Sequence, residues 1–284
     1  MSFTRTQLAG AVATATLILP AAAFAATING GPGSERLRGT TMADTIRGNG
    51  GNDRIRGLAG ADTLNGGTGN DRVFGNAGND VISGVQGNDW LNGGAGDDTV
   101  TGDANAAGDV TSFDRIFGAS GNDTLRGGDS LDRIYGGTGN DTSFGENGHD
   151  RMAGGSGDDG QDGGPGNDTI FANRGADVSV GGDGNDVLWA MARADVSGPG
   201  DVAGDTLDGG NGNDVFRTRD GEADRITCGP GNDRALLDAI DVITDATPEN
   251  LNGSCETVQR KAPKAGEARS EDVQEKPAAE RITS

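Results

Sequence analysis

The sequence predicts an all-β solenoid wound from short strands and glycine turns, with eighteen residues to each coil. Three observations predict it. Acidic residues recur every nine positions: Glu35, Asp44, Asp53, Asp62, Asp71, Asp80, Asp89 and Asp98 form one run, and the step resumes from Asp114 to Asp186. Two positions after nearly every acid stands an aliphatic residue, as at Leu37, Ile46, Ile55, Leu64, Val73, Ile82, Leu91 and Val100. The chain of 284 residues holds 53 glycines but only 4% aromatics and 32% apolar residues. That is too little for an ordinary single core, but enough for a narrow core shared between stacked repeats.

The charge bounds the partners. A formal −21 disfavours nucleic acid and anionic membranes, and makes multivalent cations the natural counter-charge. Residues 1–25 read as a secretory signal peptide, with Arg5, an apolar stretch from Leu8 to Pro20, and an Ala23-Phe24-Ala25 cleavage site. No other segment is apolar enough to span a bilayer. Export makes a disulfide the expected fate of the only two cysteines, Cys228 and Cys255.

Within each repeat, a glycine- and asparagine-rich hexapeptide predicts a turn with positive φ. The following D-x-U triplet, where U is aliphatic, predicts a short strand with U inward. Two nonapeptides then close one coil, and parity sorts the acids into two columns. Glu35, Asp53, Asp71 and Asp89 face one edge, and Asp44, Asp62, Asp80 and Asp98 the other. After the first insert, Asp114, Asp132, Asp150, Asp168 and Asp186 oppose Asp123, Asp141, Asp159 and Asp177. Asp205, Asp214, Asp224 and Asp233 follow with less regular gaps.

Complete loops stand at 66–71 (GGTGND), 93–98 (GGAGDD), 136–141 (GGTGND), 154–159 (GGSGDD), 163–168 (GGPGND), 181–186 (GGDGND) and 209–214 (GGNGND). The pattern G-G-x-G-x-D-x-U-x resembles the RTX, or hemolysin-type, calcium-binding repeat. The resemblance covers about 29–236 and implies a parallel β-roll, a right-handed solenoid whose edge loops hold calcium ions between successive coils. It implies as ligand-bearing residues Asp53, Asp62, Asp71, Asp80, Asp89, Asp98, Asp114, Asp123, Asp132, Asp141, Asp150, Asp159, Asp168, Asp186, Asp205, Asp214 and Asp233. It also implies the loop glycines Gly66, Gly69, Gly93, Gly96, Gly136, Gly139, Gly154, Gly157, Gly163, Gly166, Gly181, Gly184, Gly209 and Gly212. For Glu35 and the degenerate loops GTTMAD (39–44), GGDSLD (127–132) and ANRGAD (172–177), local turn capping without metal stays open.

The chemistry of the pattern agrees. Coils about 4.8 Å apart set carboxylates at that spacing. Each neighbouring pair repels by about 1 kcal/mol in water and by several kcal/mol at an effective dielectric near 20. Calcium accepts six to eight oxygens, backbone carbonyls included, whereas magnesium holds its waters and should compete poorly. Binding and folding should be one event.

The organisation read along the chain is a leader at 1–25, one block at 29–101, an insert at 102–112, and a second block at 113–189. A second insert at 190–204, final repeats at 205–236, a cap at 237–258 and a tail at 259–284 follow. The inserts, small and polar, read as surface loops. The sequence DGEADRITCGPGND with its downstream partner CE resembles the cysteine-closed end of secreted actinobacterial family members, which implies a Cys228–Cys255 bridge. The charged, Pro/Ala-rich tail reads as disordered.

One inward row is polar. Leu125 is followed at eighteen-residue steps by Ser143, Gln161 and Ser179, so a register slip could bury Phe144, Val178 and Val180 instead. This sheet is expected to be the weakest. Arg36, Arg54 and Arg72 read as a solvated row damping the acid columns. Trp90, Tyr135, Phe171 and Trp189 read as scattered surface packing.

The function expected is a stand-alone extracellular calcium-binding roll with a spacer, adhesion or matrix role, not an enzyme. An RTX hydrolase or toxin module is the alternative. His149, the only histidine, sits in the loop GENGHD where Asn is usual, and neither H-E-x-x-H nor G-x-S-x-G occurs. Ice binding, a further alternative, needs a threonine row, and loop position three (Gly50, Ala59, Thr68, Ala77) offers none.

Overall fold

Alternation of aliphatic and outward residues after each acid gives a strand, and the strand can bury its aliphatic side only against another coil. The computed structural model describes residues 24–103, 112–190, 204–248 and 250–261, and the backbone of Thr6–Leu8. It is a parallel β-solenoid of about eleven coils, with no helix among the described residues. Successive strands alternate between two sheets, one of 13 strands from Thr6–Leu8 to Val242–Ile243, the other of 12 from Arg36–Arg38 to Thr257–Arg260. We call them the first and second sheets. Register repeats by eighteen residues within the blocks, as in Ile46↔Leu64 and Ile55↔Val73.

The strands are longer than the D-x-U triplet. Most run six residues, for example Thr63–Thr68 and Arg133–Thr138, because the two glycines after U continue the pairing. Position two of the next loop then takes positive φ, as at Gly67 (111°) and Gly94 (118°). Non-glycine residues hold the same conformation in places, including Leu58 (95°) and the β-branched Val85 (93°).

The inward aliphatics form one core from Leu37 to Ile170 and a second from Leu188 to Cys255. Between them lies the polar row. The register slip that would hide its apolar neighbours does not occur: Ser143, Gln161 and Ser179 are buried, Val178 is half exposed, and Phe144 lies outside beneath Arg126 (4.3 Å to the ring centroid). Register is held by the strands on either side, through Leu125↔Ser143 and Ser179↔Leu207. Gln161 also makes the position tolerable. In the amide orientation that suits its surroundings it donates to Phe171 O (3.0 Å) and Ser179 Oγ (3.2 Å) and accepts from Gly154 N–H (3.0 Å). Phe171 and Gly154 belong to the second sheet, so this side chain ties the two sheets across the core.

The outward aromatics are not scattered. Phe74, Trp90, Phe117 and Tyr135 pack in a row along the second sheet with centroids 4.7, 5.3 and 5.1 Å apart, the first two contacts tilted and the last stacked, and Phe171 stacks on Trp189 at 5.8 Å. Phe171 is buried, contrary to a surface role. The first sheet does carry threonines in register outside, Thr27, Thr45 and Thr63 among them, at repeat position seven rather than position three.

At the C-terminal end, Cys228 and Cys255 are bridged, which in the chain-entropy model stabilises by roughly 3–4 kcal/mol. The last strand, Thr257–Arg260, runs past residue 258, and Arg260 donates to Asp241 O (2.9 Å). Most of the leader, the inserts and the tail fall outside the described residues. Cleavage near Ala25 would remove Thr6–Leu8, which pairs with Thr27–Asn29.

Val85 tests the backbone account. A β-branched residue at φ 93° is strained, so Val85→Gly should stabilise by about 1 kcal/mol despite the added freedom of the unfolded chain. The thermal midpoint in calcium should rise; a fall would show that the strain is not there.

Candidate metal centre

Strand spacing and loop chemistry together build two carboxylate columns. Each loop aspartate accepts, at Oδ1, the backbone N–H of the aspartate one coil earlier. Asp53 N–H donates to Asp71 (2.7 Å), Asp71 to Asp89 (2.7 Å), and Asp62 to Asp80 (2.8 Å). The bonds run straight across the first insert, from Asp89 to Asp114 and from Asp98 to Asp123, both 2.7 Å. They cross the second as well, from Asp177 to Asp205 (3.0 Å) and Asp186 to Asp214 (2.8 Å). The two blocks and the final repeats therefore share the same two columns.

The other oxygen, Oδ2, is buried and without a hydrogen-bond partner in Asp53, Asp62, Asp71, Asp80, Asp89, Asp98, Asp114, Asp123, Asp132, Asp141, Asp150, Asp159, Asp168, Asp186, Asp205, Asp214 and Asp233. Orphaned anionic oxygens of this kind are costly unless a cation meets them. Facing most of them is a glycine cradle, with Cys228 in that place for Asp233. A Cβ on Gly127 would meet Asp132 Oδ2 at 2.6 Å and Gly145 O, one coil on, at 2.7 Å; on Gly163 it would meet Asp168 Oδ2 at 2.5 Å and Gly181 O at 2.6 Å. Gly66, Gly93, Gly136, Gly154, Gly181 and Gly209 occupy the equivalent place. A side chain there would fill the space that the aspartate oxygen and the carbonyl share. At loop position four, Gly69, Gly96, Gly139, Gly157, Gly184 and Gly212 take positive φ, while Gly166 bridges to Gly148.

This donor set fits a hard cation. A gap between coils offers a carboxylate oxygen and backbone carbonyls rather than a cluster of acids: no group of three acidic, histidine or cysteine side chains converges among the described residues. Oxygen-only, carbonyl-rich coordination is what calcium accepts.

Burial is the first cause of the titration behaviour. It lifts Asp53 and Asp62 to about 7, Asp89 to about 8 and Asp114 to about 9, opposed by the accepted backbone N–H and reinforced by neighbouring carboxylates. Asp224 is lifted furthest, to about 10, by burial and then by Asp220, Asp205 and Asp241.

The degenerate loops divide. Asp44 differs from the rest, because Thr40 N–H donates to its Oδ2 (2.5 Å). Asp177 and Asp224, in less regular repeats, have the same orphaned oxygen as the complete loops. Glu35 stands at the head of one column and donates its N–H to Asp53 (2.7 Å). The sequence reading missed the column ends, where Asp224 N–H donates to Asp241 (3.3 Å) and Asp233 N–H to Glu256 (2.6 Å). Their spacings, 17 and 23 residues, hide them from a step of eighteen.

Outside the acids runs a second ladder at loop position five, in which Asn70 N–H donates to Asn52 Oδ1 (2.8 Å) and Asn88 N–H to Asn70 (3.0 Å). His149 takes the asparagine place in it. Its Nδ1 accepts from Asn167 N–H at 2.7 Å.

A family model for the RTX calcium-binding nonapeptide repeat matches residues 29–64, 56–91, 74–106, 111–143, 132–160, 162–190 and 200–235, well over half of the chain. The chain belongs to the RTX calcium-binding repeat family. A search of curated proteins gives no significant match. The matched RTX segments coincide with the two columns, and repeats of this family bind calcium.

The columns predict an inverted acid response without metal. Carboxyls whose folded values lie above the ordinary 3.8 add stability that is present below about pH 4 and lost as pH rises through 6 to 9. In chelator the β circular dichroism signal should therefore grow from pH 8 to pH 4, and calcium at pH 8 should restore it. A chelated signal that is stronger at pH 8 than at pH 4 would contradict this.

Proposed function

We propose that the protein is an exported calcium-binding β-roll that folds on the ion and serves as a structural or adhesive element outside the cell, with no catalytic role. One observation carries the reading: buried, partnerless aspartate oxygens recur on nearly every coil, most of them beside a loop glycine and a backbone carbonyl of the next coil, in a chain of the RTX family. Asp53 to Asp233 and their loop glycines are the proposed ligand-bearing positions, with Asp177 and Asp224 added and Asp44 set aside. The leader-like N-terminus and the Cys228–Cys255 bridge support an oxidising compartment.

A hydrolase reading finds less support, since the one histidine is engaged as a ladder acceptor in a surface loop. Ice binding draws on the threonine row of the first sheet, but Val81, Gly160 and Val178 interrupt that row.

Calorimetric titration of the chelated chain with calcium, followed by circular dichroism, tests the proposal. Saturable binding of several ions with a rise in β signal is expected, midway at roughly 10⁻⁴ to 10⁻³ M as in extracellular modules. Magnesium should produce neither. Equal folding with magnesium, or none with calcium, would overturn the reading.

A further inference from the structure

The twelve strands of the second sheet contain twelve arginines and not one acidic residue, in a chain with 44 Asp and Glu. The first sheet is not segregated in this way: Asp162 and Asp208 face outward from its strands, and Arg126 pairs with Glu146 at 2.9 Å. On the second sheet the arginines fall into register. Arg36, Arg54 and Arg72 pair directly, and Arg115, Arg133 and Arg151 do the same farther along. Trp90 stands between the two runs, paired with Arg72 and Arg115.

We propose that the outward face of the second sheet binds a linear acidic polysaccharide, a uronate chain lying along the solenoid axis with its carboxylates taken by the arginine rows. The inference rests on the calcium-loaded roll proposed above being the form that presents this face.

Four features select that chemistry. The cations are all arginine, whose planar fork suits a carboxylate two bonds at a time, where lysine would serve as a point charge. Their spacing along the axis is the strand spacing, about 4.8 Å. An extended uronate chain advances by a similar step per sugar and carries one charge on each. Phosphates along one strand of duplex DNA come every 3.4 Å or so, a poorer match. The arginines also crowd one another: Arg54 stands in register directly between Arg36 and Arg72, with Arg56 two residues on along its own strand. Arg54 Nε is buried without a partner. A polyanion would relieve that repulsion.

The aromatics argue against bases as the occupant. Single-stranded nucleic acid is held by free ring faces on which bases stack. Here the rings pack on each other, Phe74 tilted against Trp90 and Phe117 stacked on Tyr135, and guanidiniums cover three of the sheet's rings, Arg54 and Arg56 over Phe74 (5.4 and 5.6 Å), Arg151 over Phe171 (4.6 Å) and Arg217 over Trp189 (4.3 Å). Stacking holds the arginines at a fixed height over a flat sheet. A membrane fits poorly as well, because the large exposed apolar side chains, such as Val81, Leu131, Val178 and Leu251, all lie off this sheet.

The test uses the full chain in excess calcium, titrated calorimetrically with a short oligogalacturonate, its methyl ester and an oligothymidylate. The acid form should bind, and binding should weaken as salt rises. The ester and the oligonucleotide should bind at least about tenfold more weakly. The variant Arg54→Gln/Arg72→Gln/Arg133→Gln should lose affinity about tenfold while keeping its calcium-dependent β signal. No binding by a chain that shows that signal would overturn the inference alone, as would equal binding of ester or oligonucleotide, or a variant that binds like the parent. A chain that gives no β signal in calcium would overturn this inference together with the calcium reading.

Discussion

Nearly every loop aspartate spends one oxygen on the amide of the preceding coil and leaves the other buried without a hydrogen-bond partner, so the backbone ladder and the charge problem are parts of one contact. Adjacent coils cannot approach to strand distance without stacking these carboxylates. Moving them apart would break the N–H to Oδ1 bonds that align the coils. The glycines at most of these places follow from this, since a Cβ there would crowd the aspartate oxygen; Ala172 and Cys228 are exceptions, in the loops of Asp177 and Asp233. The small aliphatic core is sufficient because it needs only to fill the space between two sheets already held in register along both edges.

On the proposed reading the cation is a structural component rather than a cargo. In its absence the buried carboxyls are driven toward their protonated form, with Asp114 at about 9 and Asp224 at about 10. A divalent ion meeting Oδ2 does the same neutralising work at neutral pH and adds coordination bonds to carbonyls. Continuity across both inserts matters here. Because Asp89 bonds to Asp114 and Asp177 to Asp205, the columns behave as single lattices, and folding can propagate from coil to coil.

Much of this was legible in the amino-acid order. The nine-residue step placed the aspartates in two columns, the residue two positions on supplied the core, and the place of His149 in the loop predicted its asparagine-like role. What escaped needed knowledge of neighbours one coil away. Gln161 looks like a core defect until Phe171 and Gly154 of the other sheet are seen to satisfy it. The segregation of arginine onto one sheet is hidden, because consecutive strands alternate faces and two inserts shift the numbering by 7 and 10 residues beyond the eighteen-residue step, from 89 to 114 and from 177 to 205. Asp44 and Asp177 both stand in irregular loops, and only the local presence of Thr40 separates them.

Small-angle X-ray scattering of the metal-stripped chain at neutral pH and low salt tests the central claim most directly, because it reads compaction of the whole solenoid. The account predicts an expanded coil profile that contracts to that of a rigid rod when calcium is added. A rod profile in chelator, unchanged by calcium, would contradict it.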